Sequence, residues 1–268
     1  KSAVIRVALA GAGGRMGQAV VDALRMDPGL VLAAALEAPG SPLVGRESGG
    51  VRVSDDVAAA LAAADVAIDF SRPEATLALL AACEALGRPV VIGTTGFDSA
   101  QRNRIAEAAQ RLPVVISPNF SVGVNAAFAL VEAAARILGA DYDVEIVEAH
   151  HRHKVDAPSG TALRLGEIVA RALGRDLEAV AVHGRRGAVG ARAPGEIGFH
   201  ALRGGDMVGE HTVLFAGAGE RVEITVRSQS RLTYAAGALR AARWLAAGRA
   251  PGLYDMAEVL GSKESRAV

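Results

Sequence analysis

The chain has 268 residues, 51% of them hydrophobic, which is enough for one large or two modest domains with their own cores. Lys plus Arg and Asp plus Glu balance at 29 each, so no global field draws the protein to nucleic acid or to an acidic membrane. Aromatics at 4% are too sparse for base-stacking platforms, and a single cysteine, Cys83, excludes an internal disulfide framework and points to a reducing, cytoplasmic compartment.

The first half alternates strand and helix signals. Val4 to Ala10 is a short apolar run that contains Arg6 and stops at Gly11-Ala12-Gly13-Gly14-Arg15-Met16-Gly17, so it reads as a strand and not as a signal peptide. Helical spacing follows through Val20 and Leu24, then a second strand from Leu30 to Leu36 that ends in Glu37. Residues 38–50 read as a Gly/Pro-rich loop. A helix near Asp55 to Ala63, a strand from Val66 to Phe70 and a helix from Glu74 to Leu86, which carries Cys83 on a buried face, come next. Val90 to Ile92 is stopped by Gly93-Thr94-Thr95-Gly96, Asp98 or Ser99 caps a further helix, and Val114 to Ile116 leads into Ser117-Pro118-Asn119-Phe120. Continuous rather than alternating apolar strands between helices predict a buried parallel sheet.

The glycine cluster sits at the first strand-to-helix turn of that sheet, where small residues let the backbone approach a pyrophosphate. Its spacing departs from the commonest dinucleotide fingerprint, because Met stands at position 16 and the third glycine falls at Gly17. The context still fits: strand before, helix after, and at Glu37 an acid able to accept from both hydroxyls of an adenosine ribose. Ala38 follows Glu37, so no adjacent Arg holds a 2′-phosphate. This favours NADH over NADPH, with Arg15, Arg46 and Arg72 as the cations that would serve a phosphate from elsewhere. Gly93 to Thr95 and Ser117 to Phe120 follow later strands at their carboxyl ends, where an open parallel sheet binds its ligand.

The second half changes pattern. A long apolar helix from Gly123 to Leu138 precedes strand-like alternation at Asp143 to Ala149, Ile197 to Leu202, His211 to Phe215 and Val222 to Arg227, the mark of an antiparallel or mixed sheet with one wet face. No uninterrupted apolar run reaches the roughly 18 residues a bilayer span needs. Residues 184–195, with Arg185, Arg186 and Arg192, read as a solvated surface loop. The final helices, Tyr234 to Ala247 and Tyr254 to Leu260, look like cover for the first sheet. The expectation is an α/β protein with a Rossmann-like dinucleotide-binding domain (1–121 plus 232–268) and a second α+β domain on an open mixed sheet (122–231).

The segment His150-His151-Arg152-His153-Lys154 packs three of the six histidines, an Arg and a Lys into five positions, and Pro158-Ser159-Gly160-Thr161 then opens a helical pattern. Donors beside a helix start suit a small dicarboxylate that must be protonated: the helix dipole favours the anion, imidazole shuttles protons near neutral pH, and cationic neighbours make a lysine's proton easier to give. Against this stand a plain solvated basic loop and a metal site through His151 and His153. Arg152 and Lys154 would repel a cation, so no metal is expected.

With these residues in view, the chain closely resembles the 4-hydroxy-tetrahydrodipicolinate reductase (dihydrodipicolinate reductase) family nearly end to end. The most specific block is Glu148 to Ala162; supporting blocks are Gly11 to Gly17, Asp69 to Pro73, Gly93 to Phe97, Asn119 to Asn125 and Gly209-Glu210-His211. The resemblance implies reduction of a cyclic imine dicarboxylate by a nicotinamide cofactor in diaminopimelate and lysine biosynthesis. His150 and Lys154 would carry the proton-donor role, and His151, Gly160 and Thr161 would hold substrate. Gly11, Ala12, Gly13, Gly14, Arg15, Met16, Glu37, Gly93, Thr94, Thr95, Ser117, Pro118, Asn119 and Phe120 would hold the cofactor. It also implies a homotetramer joined through the second-domain sheets. Ala38 departs from the Arg that many members carry there. Two readings compete: another NAD(P)-dependent dehydrogenase of the same plan, which has no need of the His-rich run, and a non-catalytic NADH-sensing module whose basic segment meets a partner's anionic surface.

Overall fold

The structure is a computed structural model that describes residues 3–262. In chain order the elements are β1 (Ile5–Ala10), α1 (Arg15–Arg25), β2 (Leu30–Leu36), β3 (Glu47–Ser48), β4 (Val51–Ser54), α2 (Val57–Ala62), β5 (Val66–Asp69), α3 (Pro73–Leu86), β6 (Val90–Ile92), α4 (Ser99–Ala108), β7 (Pro113–Ile116) and α5 (Val122–Leu138). After a short 3-10 turn come β8 (Asp143–His150), α6 (Gly160–Ala172), α7 (Leu177–Val180), β9 (Ala181–His183), β10 (Ile197–Arg203), β11 (Gly209–Ala216), β12 (Arg221–Ser228), α8 (Leu232–Ala246), β13 (Gly252–Tyr254) and α9 (Met256–Leu260). The chain divides into two compact units, with breaks after Val122 and after Ser230.

The first unit is built on an eight-stranded sheet of order β13-β7-β6-β5-β1-β2-β4-β3, parallel except for β3 against β4. Its strands are apolar on both faces because both are covered. Val7, Leu9, Ile68 and Val91 pack with α1 and α8, while Ala8, Ala10, Ala67 and Ile92 pack with α2, α3 and α4. Helix ends follow local chemistry: Asp98, not Ser99, caps α4 in a reciprocal box with Gln101, and Gly87 closes α3 in the left-handed region at φ 62°. The loop expected over 38–50 holds the two-residue strand β3, which with β4 forms a hairpin; β9, β13 and α7 also went unforeseen. Elements this short are made by pairing with distant neighbours and leave almost no periodicity to read.

The second unit is a five-stranded mixed sheet of order β12-β11-β8-β10-β9, with β10 parallel to β8 and β9 and with β11 antiparallel to β8 and β12. Val144, Ile146, Ile197, Phe199, Val213 and Phe215 point to one face and pack with α5 and α6. One sequence expectation needs correcting. The helical stretch Val122–Asp141, although Glu132 and Arg136 interrupt it, is long and apolar enough to cross a membrane by length and composition. In this unit its Val131 and Ala135 are fully buried in the core.

Candidate active site

In the first unit the glycine turn lies where the strand order reverses, between β1 and β5. Gly11 adopts φ +73°, and a side chain there would run into the Phe70 carbonyl that follows β5. A methyl on Gly17 would meet the Gly11 carbonyl, so both glycines are demanded by backbone approach. The Gly11 and Ala12 amides donate to the Leu36 carbonyl at 3.0 and 3.2 Å, which curls the turn over the end of β2. Gly13 and Gly14 lie exposed, and α1 starts at Arg15 with its first-turn amides lacking helical acceptors, a cradle for phosphate. Glu37 is tied to this turn: its Oε1 accepts from the Gly13 amide at 2.6 Å. Leu43 packs on Gly13, and a pocket of about 320 Å³ beside it is bordered by Arg46, Ser48 and Arg25.

The other cofactor candidates collect along the same carboxyl edge, after β6 and β7. Gly93 has no room for a side chain against the Phe70 ring. Thr94 and Ser117 turn their hydroxyls inward: Thr94 Oγ1 donates to the fully buried Asp69 at 3.0 Å and Ser117 Oγ to the Asn119 carbonyl at 2.7 Å. Their contribution to a ligand is therefore backbone, whereas Thr95 and Pro118 are exposed. Phe120 is buried and meets Phe70 edge-on, with ring centroids 5.9 Å apart. Asp69 also takes the Ser71 and Thr76 hydroxyls, and burial pushes its carboxyl upward against those three bonds. This hub, quoted in the sequence only as part of a block, holds together the loops after β5 and β6.

In the second unit the register decides what meets. His211 pairs with Glu148 across β11 and β8, and Arg203 pairs with His150 across β10 and β8. Glu148 is 1% exposed, and its carboxylate is the centre of the site. Oε2 faces His150 Nδ1 at 2.6 Å and Arg203 Nη1 at 2.7 Å; Oε1 accepts from Arg203 Nη2 at 2.7 Å and from the Ser159 amide at 3.0 Å. Burial works to raise its pKa, yet Arg203, His150 and the Ser159 amide outweigh it and the carboxyl is lowered. Burial lowers His150, against the pull of Glu148 and with help from Lys154 and Arg203, so the ring is neutral at neutral pH. His211, its ring 5.1 Å from that of His150, is pushed down to about 4 by burial first and His150 second.

The basic strip leaves β8 here. His151 is anchored by its amide on the Met207 carbonyl at 2.8 Å, and its Nδ1 is buried with no hydrogen-bond partner among the described residues. His153 stacks loosely on His151 at 6.2 Å. Among the described residues, no group of three or more His, Cys, Asp or Glu is arranged to hold a metal ion. The sequence surrounded Lys154 with cations alone; the structure corrects this, because Asp156 holds its Nζ through both carboxylate oxygens at 2.8 Å. Ser159 caps α6, accepting the Ala162 amide at 3.2 Å and meeting His211 Nε2 at 2.9 Å. Gly160 and Thr161 form the first turn of α6, and a Cβ on Gly160 would meet nothing within 4 Å, so that face of the helix end is open. Glu148, Arg203, Ser159, Asp156 and His211 are the residues that the sequence reading did not assign to the site.

A parallel sheet with a glycine turn at its switch point, joined in one chain to a mixed-sheet unit, is the plan of a two-unit dinucleotide-dependent oxidoreductase. The N-terminal and C-terminal domains of dihydrodipicolinate reductase match residues 5–120 and 123–260, and the chain belongs to that family. The 4-hydroxy-tetrahydrodipicolinate reductase of Thiobacillus denitrificans is 61% identical over 97% of this chain and 99% of its own length. That of Laribacter hongkongensis is 60% identical over 96% and 98%. Among solved structures, the dipicolinate-bound dihydrodipicolinate reductase of Paenisporosarcina sp. TG-14 superposes with a TM-score of 0.78 at 26% identity, covering 95% of this chain and 98% of that one.

Proposed function

We propose that the protein reduces 4-hydroxy-tetrahydrodipicolinate, whose hydroxyl is lost as water, to tetrahydrodipicolinate, in the cytoplasm, as a step of diaminopimelate and lysine biosynthesis. The observation that carries this reading is the conjunction of a phosphate cradle with a site that pairs Lys154 and a neutral His150 beside an open helix N-terminus. A nicotinamide dinucleotide, when bound, supplies the hydride. The turn from Gly11 to Met16 would hold its pyrophosphate, Glu37 its adenosine ribose, and the backbones of Gly93 to Thr95 and Ser117 to Phe120 the remainder. Ala38 beside Glu37 favours NADH; Arg46, which borders the pocket next to Gly13 together with Arg25, is a cation to which a 2′-phosphate would turn.

In the second unit the first turn of α6 at Gly160 and Thr161, with His151 Nδ1, receives the carboxylates. Substrate charge then competes with Asp156 for the Lys154 ammonium. Lys154 is the proton donor in this reading. His150 is neutral and commits Nδ1–H to Glu148, so Nε2 offers a lone pair that accepts rather than gives a proton. The charge built as hydride adds to a carbon conjugated with the imine is met by Lys154. The outward face of the mixed sheet, carrying Val147, Leu202 and Leu214, is the surface through which a homotetramer would form.

The test is NADH and NADPH oxidation with enzymatically generated substrate, wild type beside Lys154→Ala. The variant should lose about 10²–10⁴-fold in turnover and bind NADH as before. Near-normal turnover would remove Lys154 from the mechanism, and an inert wild type would remove the reductase reading.

A further inference from the structure

Resting on the reductase reading, we infer that Glu148, clamped by Arg203, is the positioning residue of this site: it fixes His150 as the Nδ1–H tautomer and aims Nε2 at the substrate. The argument begins with counting. An ionised carboxylate only accepts, and Glu148 has four donor directions filled: two from the Arg203 fork, one from the Ser159 amide and one from His150. Nothing is left for Nδ1 to do but donate. Free imidazole in water prefers the other tautomer, so the proton on Nδ1 is imposed by the site.

The opposite nitrogen faces a glycine. A Cβ at Gly209 would stand 3.0 Å from His150 Nε2, so the glycine at the start of β11 keeps that face clear. Arg203 holds more than the carboxylate, since its Nη2 also donates to the Asp156 carbonyl at 2.6 Å. One guanidinium thus joins the orientation of His150 to the segment that carries Lys154. His211, cross-strand from Glu148, closes the remaining side through Ser159.

Glu148→Gln separates positioning from mere packing. The new NH₂ must replace either Oε1, facing the Ser159 amide, or Oε2, facing His150; each also faces one Arg203 Nη, so that one Arg203 bond is lost either way and the second partner decides. A backbone amide cannot stop donating, whereas imidazole can move its proton, so the NH₂ should take the Oε2 place and force His150 to the Nε2–H tautomer. In the serine-protease triad an equivalent amide-for-carboxylate change costs about 10⁴ in rate through the wrong tautomer. The experiment is long-range proton–nitrogen NMR of protein labelled with ¹⁵N-histidine, with the His150 signal assigned through His150→Asn, alongside kinetics and binding of NADH and of pyridine-2,6-dicarboxylate.

Wild type should show His150 protonated on Nδ1. Glu148→Gln should show the proton on Nε2, turnover down about 100-fold or more, and NADH affinity within twofold. Arg203→Lys, which keeps the charge without the fork, should retain the tautomer with a smaller loss of turnover. A wild-type His150 protonated on Nε2 overturns the inference, whether or not either variant folds. A folded Glu148→Gln with unchanged tautomer or near-normal turnover overturns it too. Absence of reductase activity in wild type would instead strike the functional reading, because the tautomer is read without turnover.

Discussion

Acidification from pH 7 to pH 4 should cost the mixed-sheet unit about 3 kcal/mol through His211 alone. In the fold this imidazole protonates at about 4, held down by burial and by His150, Lys154 and Arg203 against the opposing pull of Glu148; its ordinary value is 6.5. Between those values the unfolded chain binds a proton that the fold refuses. The stability His211 contributes is therefore complete above 6.5 and is lost as the pH falls towards 4. At about 1.4 kcal/mol per pH unit the gap amounts to about 3 kcal/mol. His150, also lowered, adds in the same direction, so the His211 share must be isolated by difference. His211→Gln keeps a polar partner for Ser159 and removes the titration. Amide hydrogen exchange along β8 and β11, corrected for its intrinsic pH dependence, gives the opening free energy of wild type and variant at each pH. The wild-type advantage should shrink by about 3 kcal/mol on acidification, with most of the change between pH 6.5 and pH 4.5. An advantage constant over that range would refute the reasoning and place the His211 charge in solvent.

Gly17→Ala should put a methyl into the Gly11 carbonyl, so NADH affinity should fall at least tenfold while dipicolinate affinity of the second unit is kept; calorimetry with each ligand checks it. Light scattering should give four times the chain mass, and Leu202→Arg, on the outward sheet face where Leu202 is 54% exposed, should reduce it. A wild-type mass equal to one chain would remove the tetramer.

The parallel sheet was readable because its signal is redundant: five apolar runs with helix-forming stretches between them, most of them followed closely by glycine or proline. The His-rich strip was readable because chemistry concentrated in five consecutive positions has few structural explanations. Glu148 was not. In sequence it is one polar residue at the end of an alternating strand, indistinguishable from Glu145, which faces outward and pairs with Arg185, Arg192 and His200. What makes Glu148 different is Arg203, 55 residues away, and no local pattern marks that arginine. Residues 184–191 of the 184–195 loop are exposed as expected, but Arg192 departs from a solvated loop for a similar reason. Arg192 is only 18% exposed, bonded to Asp143, Glu145 and the Val144 and Glu196 carbonyls, so this part of the loop is held against the sheet rather than solvated.

The parity of β8 explains why the candidate site residues stand on a rigid base here. Val144, Ile146, Glu148 and His150 alternate with outward residues and so share one face. The first two are core, packed with Val213, Phe215, Ile197 and Phe199 from the flanking strands. The next two continue the same row beyond the apolar layer, where the flanking strands supply His211 and Arg203 instead. A slip of β8 by one residue would turn Glu148 away from Arg203, expose Ile146 and carry the Glu145 carboxylate to the core face. The register that fills the core is thus the register that brings Glu148, His150, Arg203 and His211 together. A variant that loosens this core, such as Ile146→Ala, should lower turnover along with stability, although Ile146 touches neither ligand in this reading.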